Sequence, residues 1–240
     1  MKQFICDKEF FDLFPQATIG VLCLTGAEGK ELTEDQKKEI GSLLEEANKK
    51  AEKYVPNDPI SANEVVKVWR EAYKQFPGKK GARCAIENLL KRVLKNNPVS
   101  SIHPSVDITN SISLKYAFPI GVEDCDAFDG DIRLGFMKGG EDFVPIGEEG
   151  QDPPKEGELA YYDNTGVICR NWNWRDGKRT QVTDETRISF VAMECIEPDR
   201  VGDLEKALDE LANLFEKYMG AKIEAKALVD KDNPSAFLID

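Results

Sequence analysis

The residue types best suited to chemistry lie together between Cys169 and Asp176, which read Cys-Arg-Asn-Trp-Asn-Trp-Arg-Asp. Two of the three tryptophans of the 240-residue chain stand here, among two arginines and two asparagines. On a strand, Arg170, Trp172 and Trp174 would share one side. Indole rings beside amides and guanidinium groups are typical of a pocket for a small molecule or nucleotide. The alternative is a hairpin whose aromatic side chains fill the core and whose arginines pair with carboxylates.

A second group of candidate residues is basic. Lys79, Lys80 and Arg83 lie at the entry of a predicted helix, and more lysines and arginines follow the tryptophans between residues 175 and 187. Such side chains bind a phosphate backbone with an attraction that depends on salt and not on base sequence. The alternative is a solvated helix face.

His103 is the only histidine, so a Ser-His-Asp or Cys-His arrangement would have to include it. A lone histidine in a proline-flanked loop is more often a surface or capping residue. With one histidine and no Cys-x-x-Cys pair, we expect no metal and no cofactor. The acidic run from Asp124 to Asp131 does not have the spacing of a calcium loop.

Composition excludes several classes of protein. Forty-four acidic and 32 basic residues give a net charge of -12, which argues against a polybasic surface for DNA or for a membrane. Six scattered cysteines indicate a reduced protein. The longest apolar run, 19–24, is far too short to span a bilayer. We therefore expect a soluble, cytoplasmic protein.

The elements that must position these residues form two groups. Capping signatures and apolar spacing predict helices that begin after Thr33, after Ser61 and at Gly81, and a fourth from Asp107, as its N-cap, to Tyr116. Strands are predicted at 17–24, 132–138, 143–146 (a hairpin with 132–138 around Gly139–Gly140), 159–162, 167–174, 180–182, 188–195 and 223–229, with a last helix from 203 to 220. The predicted fold is a single α+β domain over 1–240, in which a helical N-terminal part precedes a mostly antiparallel β-sheet layer flanked by helices. Residues 1–58 are expected to form a strand and helix extension packed on it.

Three stretches are specific enough to indicate a family. Residues 106–110 read Val-Asp-Ile-Thr-Asn, 182–186 read Val-Thr-Asp-Glu-Thr before a strand that ends at Glu194, and 69–73 read Trp-Arg-Glu-Ala-Tyr. With these stretches the chain resembles the B3/B4 domain of the phenylalanyl-tRNA synthetase beta subunit, which is the editing domain of that enzyme. It is most similar to free-standing proteins that consist of this domain alone. The resemblance covers about residues 60 to 200 and includes Pro119, Asp124, Asp126 and the 169–176 run.

The resemblance implies hydrolysis of an aminoacyl ester at the 3′ end of a wrongly charged tRNA. It places Thr109 and Asn110 in the pocket wall, where they would bind substrate or water, and it gives Glu194 the orientation of the amino group or the water. We take these three as candidate catalytic residues. The candidate substrate-binding residues are Arg170, Trp172, Asn173, Trp174, Arg175 and Gly121, and the candidate tRNA-binding residues are Lys79, Lys80 and Arg83.

The sequence departs from the synthetase at Gly121, where the synthetase motif has a histidine, and this change enlarges the pocket. We therefore do not transfer the amino-acid specificity of the synthetase. The function expected is that of a stand-alone, trans-editing aminoacyl-tRNA deacylase whose partner is the charged 3′ end of a tRNA. Two alternatives remain: a non-catalytic module that binds tRNA, an amino acid or a nucleotide in the same pocket, and a domain for protein–protein contact.

Overall fold

The computed structural model describes residues 2–240. The helices are α1 (Lys8–Leu13), α2 (Glu34–Ala51), α3 (Glu64–Ala72), α4 (Ala85–Leu94), α5 (Pro104–Tyr116) and α6 (Val201–Leu214). The strands are β1 (Lys2–Cys6), β2 (Thr18–Thr25), β3 (Ile120–Asp124), β4 (Ile132–Phe136), β5 (Leu159–Tyr162), β6 (Val167–Arg170), β7 (Arg175–Asp176), β8 (Ile188–Cys195), β9 (Lys222–Val229) and β10 (Ser235–Ile239).

The strands form two sheets. One has six strands in the order β10-β1-β4-β5-β6-β7, and the other has four in the order β3-β8-β2-β9. Neighbouring strands are antiparallel except for β1 and β4, which run parallel. The α+β class and the mostly antiparallel pairing are thus confirmed, although the strands form two sheets where a single layer was predicted.

The two sheets pack against each other, and helices cover the outer face of the smaller one. Phe4 of the larger sheet and Phe190 of the smaller sheet have ring centroids 5.5 Å apart in the core between the sheets. On the opposite face of the smaller sheet, Ile112 of α5 and Leu208 of α6 pack in a second core. Strand β2 contributes alternate residues to both cores, which explains its uninterrupted apolar sequence.

Within the predicted extension, residues 2–58 are integral to both sheets. Strand β2 lies between β8 and β9 in the middle of the smaller sheet, and β1 lies between β10 and β4 in the larger one. The prediction of an extension packed on the domain is therefore corrected, because these residues form central strands of the domain itself. A strand that is apolar on both sides loses contact with water only in the middle of a sheet that is covered on both faces.

Three of the predicted helix starts are wrong. The predicted capping box at Ser61 is absent, because Asn63 is the N-cap residue of α3 and Ser61 lies in a short 3-10 turn. Helix α5 begins at Pro104, where proline needs no N–H partner, and Asp107 lies inside its first turns. The Asp107 carboxylate instead accepts a hydrogen bond of 2.9 Å from the Ile102 backbone N–H. The capping box of α2 at Thr33 is confirmed, and α4 starts at Ala85, later than predicted.

The strand predictions fail where the backbone turns. Residues 143–146 form no strand but a single bridge from Pro145 to Gly177, so the predicted hairpin is wrong. Strand β6 stops at Arg170 because Asn171 and Trp172 adopt positive φ values of 47° and 65°. The alternation that placed the tryptophans and Arg170 on one side therefore does not hold. The strand predicted at 180–182 is absent, and Thr180 instead ends a 3-10 turn over Lys178–Thr180.

The capping of α2 gives a direct test of these local assignments. Thr33 Oγ1 accepts the Gln36 N–H at 3.2 Å, and the Gln36 side chain accepts the Thr33 N–H at 3.0 Å. Thr33→Ala should lower the free energy of unfolding by about 1 kcal/mol, because a helix N–H loses its partner. Ser61→Ala is the matched control and should change it by less than about 0.5 kcal/mol. Equal losses in urea titrations of the two variants would contradict the assignment.

Candidate functional site

Two cavities adjoin at the edge strand β3. The outer cavity has a volume of about 270 Å³ and the inner one about 60 Å³. They share a wall made of Ile120, Gly121, Glu123 and Asp176. A Cβ atom built on Gly121 would meet no atom within 4 Å, so glycine at this position keeps the shared wall open.

The outer cavity is lined by the family motif on α5. Thr109 is buried and Asn110 is partly exposed, and both line the cavity. Thr109 Oγ1 donates a hydrogen bond of 2.8 Å to the Ser105 carbonyl oxygen one turn earlier, which fixes the hydroxyl and leaves it free to accept. Gln181 and Val182, next to the second motif, complete the opposite side. The two motif stretches thus meet at one cavity.

Glu28, in the loop between β2 and α2, also lines the outer cavity, and sequence reasoning missed it. Burial raises the pKa of its carboxyl to about 7, although a hydrogen bond from Ser105 favours the ionised form. Glu28 Oε1 has no hydrogen-bond partner within residues 2–240. The only sequence signal was an acidic residue in a Gly-Ala-Glu-Gly loop, which by itself indicates a turn.

His103 lies beside this carboxyl. Its Nδ1 is 3.0 Å from Ser105 Oγ and 3.9 Å from Glu28 Oε2. Its Nε2 is 3.3 Å from Oδ1 of a second acid, Asp184. His103 is the N-cap residue of α5 but makes no side-chain capping bond. The histidine therefore bridges the helix start, the Glu28 loop and the segment that contains Asp184.

Glu194 of β8 is fully buried in the wall of the inner cavity. Tyr161 Oη donates to Glu194 Oε1 at 2.7 Å, while Oε2 has no partner within residues 2–240. Asn173 lines the same cavity; its Oδ1 accepts from Tyr73 Oη at 2.8 Å and its Nδ2 is unpartnered in the described chain. Burial raises the pKa of Glu194 to about 8, against the neighbouring Tyr161 and Asn173 dipoles, which favour the ionised form.

Two more carboxyl groups, missed by sequence reasoning, line the inner cavity. Glu123 Oε2 accepts a hydrogen bond of 2.6 Å from Thr180 Oγ1, and burial raises the pKa of Glu123 well above its usual value. Desolvation also raises the pKa of Asp176, which is opposed by the charge of Arg175. No lysine, arginine or histidine of the described residues lines this cavity.

Arg170 and Trp172 lie outside both cavities, so their predicted substrate-binding role is corrected. The Arg170 side chain is 1% exposed and makes a bidentate ion pair with the fully buried Glu158, at 2.8 and 2.7 Å. Trp172 is 0% exposed and packs edge-on against Phe10 with ring centroids 5.3 Å apart. Both residues stabilise the core, which is the alternative reading of the 169–176 run.

The remaining candidates divide between the inner cavity and a basic surface. Trp174 lines the inner cavity, while Arg175 is partly exposed and pairs with Glu148 at 3.1 Å. We define the basic cleft as a separate cavity of about 330 Å³ whose lining includes Lys79 and Arg83 but not the exposed Lys80. Lys79 Nζ is 5.7 Å from the centre of the Trp174 ring, so the cleft lies next to the inner cavity.

The cations of the basic cleft are partly neutralised. Lys79 Nζ is 2.5 Å from Asp152 Oδ2, and Arg83 Nε is 3.8 Å from Glu87 Oε1. Tyr73, which lines the cleft, shares its single hydroxyl proton between the Asn171 carbonyl oxygen at 2.7 Å and Asn173 Oδ1 at 2.8 Å. The floor of the cleft is thereby tied to the turn that presents Asn173 to the inner cavity.

Comparison with known proteins identifies the class of protein. Residues 68–229 match the model of the B3/4 domain family, and because this is more than half of the chain, the protein belongs to that family. The resemblance seen in the sequence is confirmed. No helix within residues 2–240 combines the length and the apolarity needed to cross a membrane.

Among solved structures, the chain is similar to an N-terminal fragment of the phenylalanyl-tRNA synthetase beta subunit from Pyrococcus horikoshii. The match has a TM-score of 0.46 and 14% identity, and it covers 94% of this chain and 53% of that fragment. The chain thus spans about half the length of the fragment. No curated protein matches the chain.

The position of Arg170 gives a stability prediction. Arg170→Ala should lower the free energy of unfolding by about 3–5 kcal/mol, because Glu158 would remain buried without its counter-charge. The matched control is Arg175→Ala, which breaks a partly exposed pair and should cost less than about 1 kcal/mol. Denaturant titration measures both free energies of unfolding. If Arg170→Ala were as stable as the parent, the structural role of Arg170 would be contradicted and its predicted substrate-binding role would stand again.

The raised pKa of Glu194 predicts a pH-dependent stability. Between pH 4.5 and 8 the native carboxyl keeps a proton that the unfolded chain has lost, so the free energy of unfolding falls as pH rises through this window. Each pKa unit corresponds to about 1.4 kcal/mol. Glu194→Gln cannot ionise, and its stability relative to the parent should therefore increase from pH 5 to pH 8. Thermal unfolding of the exposed control Glu31→Gln should show a difference that does not change over this range.

Proposed function

We propose that the protein is a stand-alone aminoacyl-tRNA deacylase, which hydrolyses the ester of a mischarged tRNA in trans. The observation that carries this proposal is the arrangement of the two cavities about Gly121. The family motif residues Thr109 and Asn110 line the outer cavity, and Glu194 and Asn173 line the inner one. Such a division suits a ligand with an ester end and an amino-acid end.

In this proposal the ester lies in the outer cavity. Water attacks the ester carbonyl carbon, the new C–O bond forms, and the bond to the ribose 3′ oxygen breaks. Glu28 accepts the proton of the attacking water and returns a proton to the leaving ribose oxygen, so that free amino acid and tRNA result. A base whose pKa is about 7 is well matched to this task at neutral pH.

Asn110 donates a hydrogen bond to the ester carbonyl or to the oxyanion that forms from it, whereas Thr109, whose hydroxyl proton is held by the Ser105 carbonyl oxygen, accepts one from the water or the substrate. An ester of this kind needs no covalent nucleophile, because positioning and oxyanion stabilisation provide most of the rate. The family resemblance gives Glu194 two alternative roles, orientation of the amino group or orientation of the water. Because its carboxyl is protonated near neutral pH, we favour contact with the amino acid over activation of water.

The tRNA would approach over the basic cleft. Lys79, Lys80 and Arg83 would contact phosphates, at the cost of the weak pairs that Lys79 and Arg83 now make. The partly exposed Trp174 lies between this cleft and the inner cavity, where its ring could stack on a base. The substrate places the protein in the cytoplasm.

Glu28→Gln tests the proposal, because it removes the base and keeps the shape of the side chain. Purified protein is incubated with tRNAs charged with each amino acid, and ester loss is followed. The parent should deacylate at least one of them faster than buffer does. Glu28→Gln should reduce that rate by about 10²–10⁴-fold.

Glu31→Gln is the matched control, since Glu31 lies exposed in the same loop, and it should act at the parental rate. If the parent deacylates no aminoacyl-tRNA, the enzyme proposal is refuted and the chain is a binding module. If the parent is active and Glu28→Gln equals it, another group activates the water.

A further inference from the structure

The inner cavity holds three carboxyl groups and no positive counter-charge. Glu123, Asp176 and Glu194 line it, and none of the described lysines, arginines or histidines does. The nearest cations are engaged elsewhere: Arg175 pairs with Glu148, and Arg179 forms a bidentate pair with Asp163. Glu123 and Glu194 are buried and Asp176 is partly exposed. A buried acid is stable only when it is protonated or when a cation is bound beside it.

Two polar atoms of the cavity wall are available to a ligand. Glu194 Oε2 and Asn173 Nδ2 make no well-aligned hydrogen bond within residues 2–240, although the Asn173 side chain lies close enough to Glu194 to favour its ionised form. Glu194 is 1% exposed and Asn173 7% exposed, so bulk water does not compensate for the missing bonds. By contrast, the buried Glu158 receives a complete set of donors from Arg170 and Asn171.

The lining of the inner cavity favours an organic cation over a metal ion. Within the described residues, no group of three or more histidine, cysteine, aspartate or glutamate side chains is arranged to hold a metal ion. The rest of the cavity wall is apolar and aromatic, and includes Ile132, Ile168 and Phe190. An aliphatic stem that ends in a cation fits such a wall, because the stem is desolvated and the head is paired.

We infer that the inner cavity binds the side-chain ammonium of a basic amino acid, with Glu194 as its principal partner and Glu123 and Asp176 beside it. This inference rests on the proposed function, since the α-amino and ester groups then lie toward Gly121 and the outer cavity. The stem would lie along Gly121, which lines both cavities and has open space where a Cβ would be.

Binding of an ammonium group should release protons. In the free protein the carboxyl groups are kept partly protonated by desolvation, and a nearby cation lowers their pKa. Affinity for the ammonium should therefore rise with pH from 6.5 to 8.5. The titratable groups that face Glu194 are all neutral or acidic, namely Glu123, Asp176, Tyr161, Tyr73, Cys6, Cys84 and Cys169.

The experiment uses adenosine analogues in which an amide replaces the aminoacyl ester, so that binding is measured without hydrolysis. The lysyl analogue carries the side-chain ammonium, and the norleucyl analogue has the same α-ammonium and stem but no charged head. Calorimetric titration of the parent should show the lysyl analogue binding at least tenfold more tightly, with proton release that scales with the ionisation enthalpy of the buffer. Glu194→Gln should remove this preference, and Glu31→Gln should keep it.

The outcomes separate this inference from the proposed function. Equal or tighter binding of the norleucyl analogue by the folded parent overturns the inference, whatever the protein hydrolyses. A lysyl preference in a protein that deacylates no tRNA supports the cavity assignment and refutes the enzyme. If Glu194→Gln does not fold, the comparison of the two analogues on the parent decides, because it needs no variant.

Discussion

The organisation of the site depends on the cost of placing carboxyl groups between two packed sheets. An ionised acid removed from water loses much of its solvation, and it regains that energy only from a paired cation or by taking up a proton. The chain contains both solutions. Glu158 is neutralised by Arg170 in a dry part of the core, while Glu194, Glu123 and Asp176 lie in a cavity wall without a cation.

Sheet register explains why the unpaired acids converge. Along β8, Phe190, Ala192 and Glu194 face the larger sheet, and the alternate residues face the helices. Strand β3 pairs with β8 so that Gly121 is opposite Ala192 and Glu123 is opposite Phe190. Residues directly opposite one another share a face. The glycine therefore leaves a gap where the neighbouring position supplies an acid, and this combination creates the cavity.

The stability of the cavity wall and its chemistry are linked. Protonated acids add little to the stability of a core beyond their hydrogen bonds. Apolar residues of the same size would pack as well. Their presence beside unpartnered polar atoms is better explained by a ligand than by stability. The larger core, with its Phe4, Phe10 and Trp172 cluster, supplies the rigidity that holds the wall in place.

The sequence was sufficient for the features that depend on local patterns. The uninterrupted apolar runs predicted β2 and β8, and the motif at 106–110 predicted which residues line the outer cavity. Glu194 followed from the family resemblance. The strands depend on residue type and spacing along one element, which a sequence displays directly, whereas the places of Thr109, Asn110 and Glu194 were implied by the family resemblance.

The rest required tertiary structure. The ion-pair partner of Arg170 lies near another strand of the sheet. The left-handed backbone at Asn171 and Trp172 could not be predicted from a glycine, because neither residue is one. Glu123 and Asp176 meet only because of strand pairing and sheet packing, so no spacing rule brings them together. Strands β1 and β10 were missed for a similar reason: each is a short five-residue strand and they stabilise each other across the whole length of the chain.

The most direct measurement of the central claim is the titration of Glu194 itself. Carbon-13 carboxyl NMR of labelled protein, with the resonance assigned by its loss in Glu194→Gln, follows this group through pH. The account predicts a midpoint near 8 in the free protein. It predicts a lower midpoint when the lysyl analogue is bound, because a nearby cation favours the ionised carboxylate. A midpoint near 4.5 in the free protein would contradict the account, because the cavity would then already stabilise the charge without a ligand.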